Sequence, residues 1–372
     1  MKVVYSNLHR GHVPGVVVEN GLTRPSRDVP ERLDALLRAV KNAGLDVVDA
    51  SDHGRAPLAA VHSDAYLDFL ANAYQEWQSS YLPGRVLPAV FETKSHAYRD
   101  DWSVIAKAGF FLRDQVTPVD EGTWLAAYWS AQTALTAAEL VKRGERQGYA
   151  LCRPSLAAYW SAQTALTAAE LVKRGERQVY ALCRPSGHHA GRDFGGGATY
   201  LNNVAIAATW FAGRGERVAI LDVDVHHGNG TQDIFWNDDR FFFSSVHRSP
   251  AGYYPHFTGY RDEVGGPAAR GSTFNWPLLE NAADVEFIEG FKRCLGAALG
   301  HDPVAVFVSL GFDALASDPA NGLQVTEQAY ETIGTILGSI EVPVLLIQEG
   351  GYDLGALESV ARRFLSGFAV TE

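Results

Sequence analysis

Four short apolar runs constrain this sequence most: Val179 to Cys183, VAILDVD (218–224), VAVFVSL (304–310) and VPVLLIQ (342–348), each ending in polar residues. Continuous Val, Ile and Leu without alternation fits strands buried on both faces, as in parallel sheets covered by helices. Helix-like stretches such as Val285 to Leu299 precede the runs, so the chain reads as α/β, an open parallel sheet flanked by helices. Such sheets gather their chemistry beyond the carboxyl ends of the strands. The segments found there are GHHAGRD, DVDVHHGNG, GFDALASD and EGGYD.

The chain has 372 residues, 47% hydrophobic and 20% charged, a globular composition without linker or low-complexity tract. Residues 1–372 therefore read as a single domain. No apolar run reaches the roughly 18 residues of a membrane span, and the start MKVVYSNLHR lacks an apolar signal core, so a cytoplasmic protein without membrane contact is expected. Cys152, Cys183 and Cys294 are too widely spaced for a zinc knuckle and too few for a disulfide framework. A net charge of −11 without a basic tract argues against nucleic acid and suits a cationic substrate. The stretch from Gln75 to Val116 has poor periodicity and reads as long loops that line a mouth or pack on a partner subunit.

One feature fits no fold pattern. Leu125 to Ser155 is repeated as Leu156 to Ser186 with a single change, Gly148 to Val179. Solenoid repeats diverge and need about three units, so near-identity in two copies marks a duplication rather than a repeat fold. Each copy reads as a helix, Ala157 to Arg174 in the second, followed by a strand. Only the second copy runs into GHHAGRD, so it is expected to build the site, with the redundant copy displaced or partly exposed.

Asp222, Asp224 and His226 alternate along a strand end and so share a face, with Asp313 at the end of another strand. Two carboxylates and one imidazole suit a divalent cation with an open position for water, the pattern of catalytic zinc. His188 and His189 lie on a loop opposite; a positioned imidazole can take a proton from the attacking water and deliver it to an amine leaving group. Asp222 or Asn229 can orient these rings. Tyr352 follows two glycines and can donate to a developing oxyanion. Together these groups describe a metal-assisted hydrolase of a carbonyl compound.

With those residues in place, the chain resembles the zinc-dependent deacetylases of the arginase–deacetylase superfamily, and within it the bacterial acetylpolyamine amidohydrolases. The likeness spans nearly the whole chain through ALCRPSGHHAGRD, YLNN (200–203), ILDVDVHHGNGTQDIF, SSVHRSPAGYYPHFTGY, VSLGFDALASDP and QEGGYD. It implies the arginase–deacetylase fold and one zinc on Asp224, His226 and Asp313. It makes His189 the general base and acid, pairs His188 with Asp222, and gives Tyr352 the oxyanion. A structural potassium ion is implied near Asp222, Asp224, His226, Ser245 and the Val246 carbonyl. The acyl tunnel would have Tyr254 as one wall, Gly197 and Ala198 facing it, and Gly350 and Gly351 near its floor. The substrate would be a small cationic acetylated amine and the assembly a homodimer.

The sequence departs from the family in places. Ser186 stands at a usual proline, and Ala198 stands where an aromatic ring normally faces Tyr254, which widens the tunnel. Asn229 replaces the acidic partner of many protein deacetylases. Ile105 falls near the position of the acidic mouth residue, with Asp100, Asp101 and Glu92 as substitutes. An acetyl-lysine or broad acyl-amide deacetylase is the neighbouring alternative, and a non-catalytic acetyl-amine binder a more distant one. A two-manganese ureohydrolase would need further acids where Gly228 and Leu315 stand.

Overall fold

The computed structural model describes residues 1–80, 82–93, 96–144, 177–212 and 215–369. In chain order these form β1 (Lys2–Tyr5), a 3-10 turn (Asn7–Gly11), β2 (Val16–Glu19), β3 (Leu22–Pro25), α1 (Glu31–Asn42), β4 (Asp46–Asp49) and α2 (Ala56–Ala59). There follow α3 (Asp64–Ser79), α4 (Val104–Phe111), α5 (Thr123–Gly144), β5 (Gln178–Leu182), α6 (Asn203–Ala212), β6 (Val218–Asp222) and α7 (Asn229–Phe235). The last part is β7 (Phe241–Arg248), β8 (Thr273–Leu278), α8 (Asp284–Leu299), β9 (Ala305–Leu310), α9 (Glu327–Gly338), β10 (Val344–Gln348) and α10 (Leu357–Phe368).

Among the described residues, eight strands make one sheet in the order β4-β1-β5-β10-β9-β6-β7-β8, with every pair parallel. The α/β reading with one open parallel sheet is therefore correct. Two cores cover its faces. One packs α3, α4, α5 and α6 under residues such as Phe111, Phe211 and Ile220; the other packs α1, α8, α9 and α10 over Leu221, Val308, Leu346 and Phe364. The strands read from the apolar runs, β5, β6, β9 and β10, are contiguous in the sheet, and β6, β9 and β10 are buried at every residue. Burial on both faces explains their unbroken apolar composition. Among the described residues, no helix is long and apolar enough to cross a membrane.

The duplication is divided by the fold. Helix α5 is the helix of the first copy, whereas β5 is the strand of the second; the helix read at Ala157 to Arg174 lies outside the described residues. The expectation that the first copy as a whole is displaced is corrected accordingly. The reason lies in what each half joins. At the start of α5, the Thr123 hydroxyl donates to Asp120 Oδ1 at 2.8 Å and meets the buried ring of His12 at 3.1 Å. Once started there, α5 is bound through Gln132, which accepts from His53 N at 2.6 Å, and through Ser130, which donates to the Pro185 carbonyl at 2.8 Å. Unique sequence before the repeat selects the first helix, and GHHAGRD after it selects the second strand.

A second correction concerns Gln75 to Val116. Helix α3 runs on to Ser79, and α4 occupies Val104–Phe111, capped by Ser103 accepting from Ala106 N at 3.4 Å. Eight nearly all-apolar residues, packed against α3 and the core, carry no amphipathic period to read.

Candidate metal centre and active site

The four central strands deliver their following loops to one crevice. Beyond β6 the backbone leaves the strand at Asp222, so the alternation of Asp222, Asp224 and His226 is not that of an extended strand. Each carboxylate instead takes the amide two residues on: Asp222 Oδ1 from Asp224 N at 3.1 Å, and Asp224 Oδ1 from His226 N at 2.8 Å. These Asx-type turns still bring the side chains together.

Asp224, His226 and Asp313 have ligand atoms all within 4.8 Å of one another. The His226 Nδ1 lies 3.0 Å from Asp224 Oδ1 and 3.4 Å from Asp313 Oδ2, and its ring stacks on Tyr253 at 4.9 Å. Burial and the neighbouring Asp224 push Asp313 up to about 7; burial also opposes ionisation of Asp224, but His188 and His226 outweigh it and hold that group low. Two carboxylates crowded in a dry site repel, and a cation between them relieves the repulsion. Among the described residues, the fully buried Asp313 Oδ2 has an ion-pair neighbour in His226 but no hydrogen-bond partner. A Cβ on Gly350 or Gly311 would run into these carboxylates, so both positions keep the backbone close. The donor set thus fits a divalent cation.

The two histidines after β5 are buried, with ring centroids 4.0 Å apart, yet they differ in charge. His188 Nδ1 lies 2.9 Å from Asp222 Oδ2; burial opposes its charge, but Asp222 and Asp224 overcome it and raise the group to about 10. His189 Nδ1 lies 2.7 Å from Asn229 Oδ1, and burial together with His188 and His226 holds it well below the usual imidazole range. The acceptor oxygen of Asn229 places the proton of neutral His189 on Nδ1 and leaves Nε2 as the base. Asp222 therefore orients His188, and Asn229 orients His189.

Tyr352 stands on the loop after β10. Asp318 accepts from Tyr352 N at 2.6 Å and Asp353 N at 3.0 Å, and Arg32 lies 4.6 Å over the tyrosine ring. Arg32 is 1% exposed; it donates to the Gly351 and Glu349 carbonyls, both at 2.6 Å, and to Asp28 at 2.7 Å. Burial and the carboxylates of Asp313 and Asp224 push the Tyr352 phenol up, Arg32 opposing them, so it stays a donor. Asp28, between Arg184 and Arg32, is held at about 2 against its burial.

Around His189, the Tyr254 ring stands edge-on at 4.8 Å, and Gly197 comes so close that a Cβ would strike both rings. Ala198 follows at a φ of +60°. Ser245 lies beside Asp222 in the β6–β7 register and meets His247 Nδ1 at 2.8 Å; Val246 is fully buried next to it. At the proposed mouth, Glu92 bonds His96 and Asp101 bonds Arg99, while Ile105 is 36% exposed on α4. Sequence reasoning missed Tyr253, Arg32, Asp318 and Asp114. Only Tyr253 and Asp318 carried a signal, as neighbours within the GYYP and ASDP segments.

An open parallel sheet whose central strand ends bring two aspartates and a histidine together, beside a histidine pair, defines a candidate metal-dependent hydrolase. The comparisons agree. The histone deacetylase domain model matches residues 26–156 and 155–368, its two segments meeting where the repeat copies join. The acetylpolyamine amidohydrolase of Burkholderia pseudomallei is 36% identical over 361 residues, covering 96% of this chain and 95% of that protein. Acetylpolyamine amidohydrolase 1 of Pseudomonas aeruginosa is 36% identical over 374 residues, 99% of each. The crystal structure of the acetylpolyamine aminohydrolase from B. pseudomallei superposes with a TM-score of 0.87 at 35% identity, covering 100% of this chain and 99% of that one. The chain belongs to the histone deacetylase family.

Proposed function

We propose that this protein removes acetyl groups from acetylated polyamines or related small amines, with one zinc ion per chain held by Asp224, His226 and Asp313. The observation that carries the reading is the convergence of that ligand set with neutral His189, charged His188 and Tyr352, in a chain similar over its full length to acetylpolyamine amidohydrolases. The bound cation would polarise the acyl carbonyl and acidify the attacking water.

The chain's own residues supply the remaining steps. His189 Nε2 takes a proton from water as its oxygen bonds to the acyl carbon, and returns it to the departing nitrogen as the C–N bond breaks. Asn229 fixes the tautomer that allows this. Tyr352 donates to the carbonyl oxygen as negative charge grows there, and Asp318 and Arg32 hold its loop in place. His188, paired with Asp222, adds a fixed positive charge. Potassium near Asp222, Asp224, His226, Ser245 and the Val246 carbonyl belongs to the same reading, as do a cytoplasmic homodimer and the absence of nucleic-acid and membrane partners.

A second reading, an acetyl-lysine or broad acyl-amide deacetylase, is favoured by Ala198 and by Ile105 at the expected acidic position. Steady-state rates on N-acetylputrescine and on an acetyl-lysine peptide decide between them. The first reading requires the larger kcat/KM for N-acetylputrescine; a tenfold preference for the peptide overturns it.

A further inference from the structure

The turn Gly196–Thr199 runs beside His189. Its ends bond each other, Gly196 N to Thr199 O at 3.2 Å and Thr199 N to Gly196 O at 2.9 Å, and its central residues lie at positive φ, +56° for Gly197 and +60° for Ala198. Such a tight turn has no internal acceptor for its two central amides. Here both are captured from outside. Gly197 N donates to Asp114 Oδ2 at 2.7 Å, and Ala198 N to Thr117 Oγ1 at 3.0 Å. The Thr117 hydroxyl in turn donates to Asp114 Oδ1 at 2.7 Å, joined there by Val116 N at 3.0 Å.

From the opposite side, the Tyr254 phenol donates to Asp114 Oδ2 at 3.2 Å. One carboxylate oxygen therefore holds a backbone amide of one tunnel wall and the side chain of the other. In this chain Ala198 presents no ring to Tyr254, and the two walls are tied by hydrogen bonds. With four donors on two oxygens, the Asp114 acceptor sites are filled, so it acts on the walls rather than on a ligand.

We propose that Asp114 is the positioning residue that sets the width of the acyl tunnel, by clamping Gly197 and Tyr254 to one carboxylate oxygen, and so determines which acyl chains reach His189. The proposal rests on reading these residues as tunnel walls. A wall displacement well below the size of a methyl group changes which acyl chain is seated for attack.

The test is a cycle of Asp114→Asn and Tyr254→Phe, alone and combined, with acetyl and butanoyl forms of whichever amine the wild type hydrolyses faster. Each single variant is expected to raise KM for the acetyl form about tenfold or more, as loss of one hydrogen bond to a charged group implies. Each also raises the ratio of butanoyl to acetyl kcat/KM, and the combined variant loses no more than the worse single one. Amide hydrogen exchange over residues 195–200, which needs no catalysis, speeds up in Asp114→Asn. Additive losses carried by kcat, an unchanged acyl ratio, or unchanged exchange would overturn the proposal. Wild-type preference for the peptide would overturn the polyamine reading alone. If the wild type hydrolyses neither amine, the exchange result decides.

Discussion

The side-chain oxygen of Asn229 lies 2.7 Å from Nδ1 of His189, while the adjacent His188 places its own Nδ1 2.9 Å from the carboxylate of Asp222. Two neighbouring imidazoles thus receive partners of different charge, and the one on the amide stays neutral and basic. Replacing Asn229 with Asp would favour the imidazolium of His189. Its pKa rises, and the base form is lost earlier as the medium is acidified. The acidic limb of the kcat/KM–pH profile is expected to move up by about one pH unit or more. An unmoved limb would remove His189 from the role of base.

Tyr352 is held from three sides, by Asp318 at its amide, by Arg32 over its ring and by the hydrogen bond from Arg32 to the Gly351 carbonyl just before it. A donor aimed at developing charge contributes chiefly in the transition state. Tyr352→Phe should lower kcat by about 10²- to 10³-fold, with a small change in KM and no change in metal content. Stopped-assay amine release and elemental analysis on the same preparation check this. A loss confined to KM would make the phenol a binding group.

Because α5 comes from the first repeat copy and β5 from the second, deletion of 145–175 joins Gly144 to Glu176 and leaves Glu176 and Arg177 between helix and strand. Two residues lie within the usual range for a helix-to-strand connection. The shortened protein should fold, keep its kcat/KM within about twofold, and gain up to about 2 kcal/mol through the lower closure entropy of the shorter connection. Urea denaturation of the two forms measures the difference. Loss of folding would show that the second helix or the first strand is structurally required.

His62, fully buried beneath the site loop, donates from Nδ1 to the Gly191 carbonyl at 3.0 Å and accepts at Nε2 from Asn202 N at 3.0 Å. Both nitrogens are thereby committed to the neutral ring, and burial lowers its pKa to about 4 from 6.5. The unfolded chain takes up this proton first on acidification. The His62 contribution is complete above about pH 6.5 and is lost as pH falls toward 4, by up to about 3 kcal/mol. Glu349 and Asp313, both raised to about 7 by burial, run the other way, so the comparison must be with a variant. His62→Gln keeps a donor and an acceptor without a titratable ring. Its stability deficit at pH 7 should shrink or reverse by pH 4.5; a constant deficit would contradict the assignment.

What was legible in the sequence followed from local pattern. The runs at 218–224, 304–310 and 342–348 announced β6, β9 and β10 because strands buried on both faces have no polar side to show. The candidate site residues were readable because they sit in the short segments that follow the central strands, where Asp and His break the apolar pattern. Arg32 and Asp114 were not readable. Arg32 acts on Gly351 across 319 positions, and Asp114 on Tyr254 across 140, so no local spacing reports either contact. Helix α4 hid because it is apolar on nearly all sides. The division of the repeat was missed for a related reason. Two nearly identical copies offer the same local pattern, and only the flanking contacts of Thr123 and of Gly187 and His188 choose between them.

Deacetylation by this chain is proposed to depend on one cation held by Asp224, His226 and Asp313. The most direct measurement is to strip the protein with a chelator, titrate zinc back, and follow bound metal together with amine release from N-acetylputrescine. Negligible activity is expected in the stripped protein, with a linear rise that ends at one zinc per chain, and with Asp313→Ala binding little metal and recovering no activity. Full activity without metal, or a requirement for two ions per chain, would contradict the proposal.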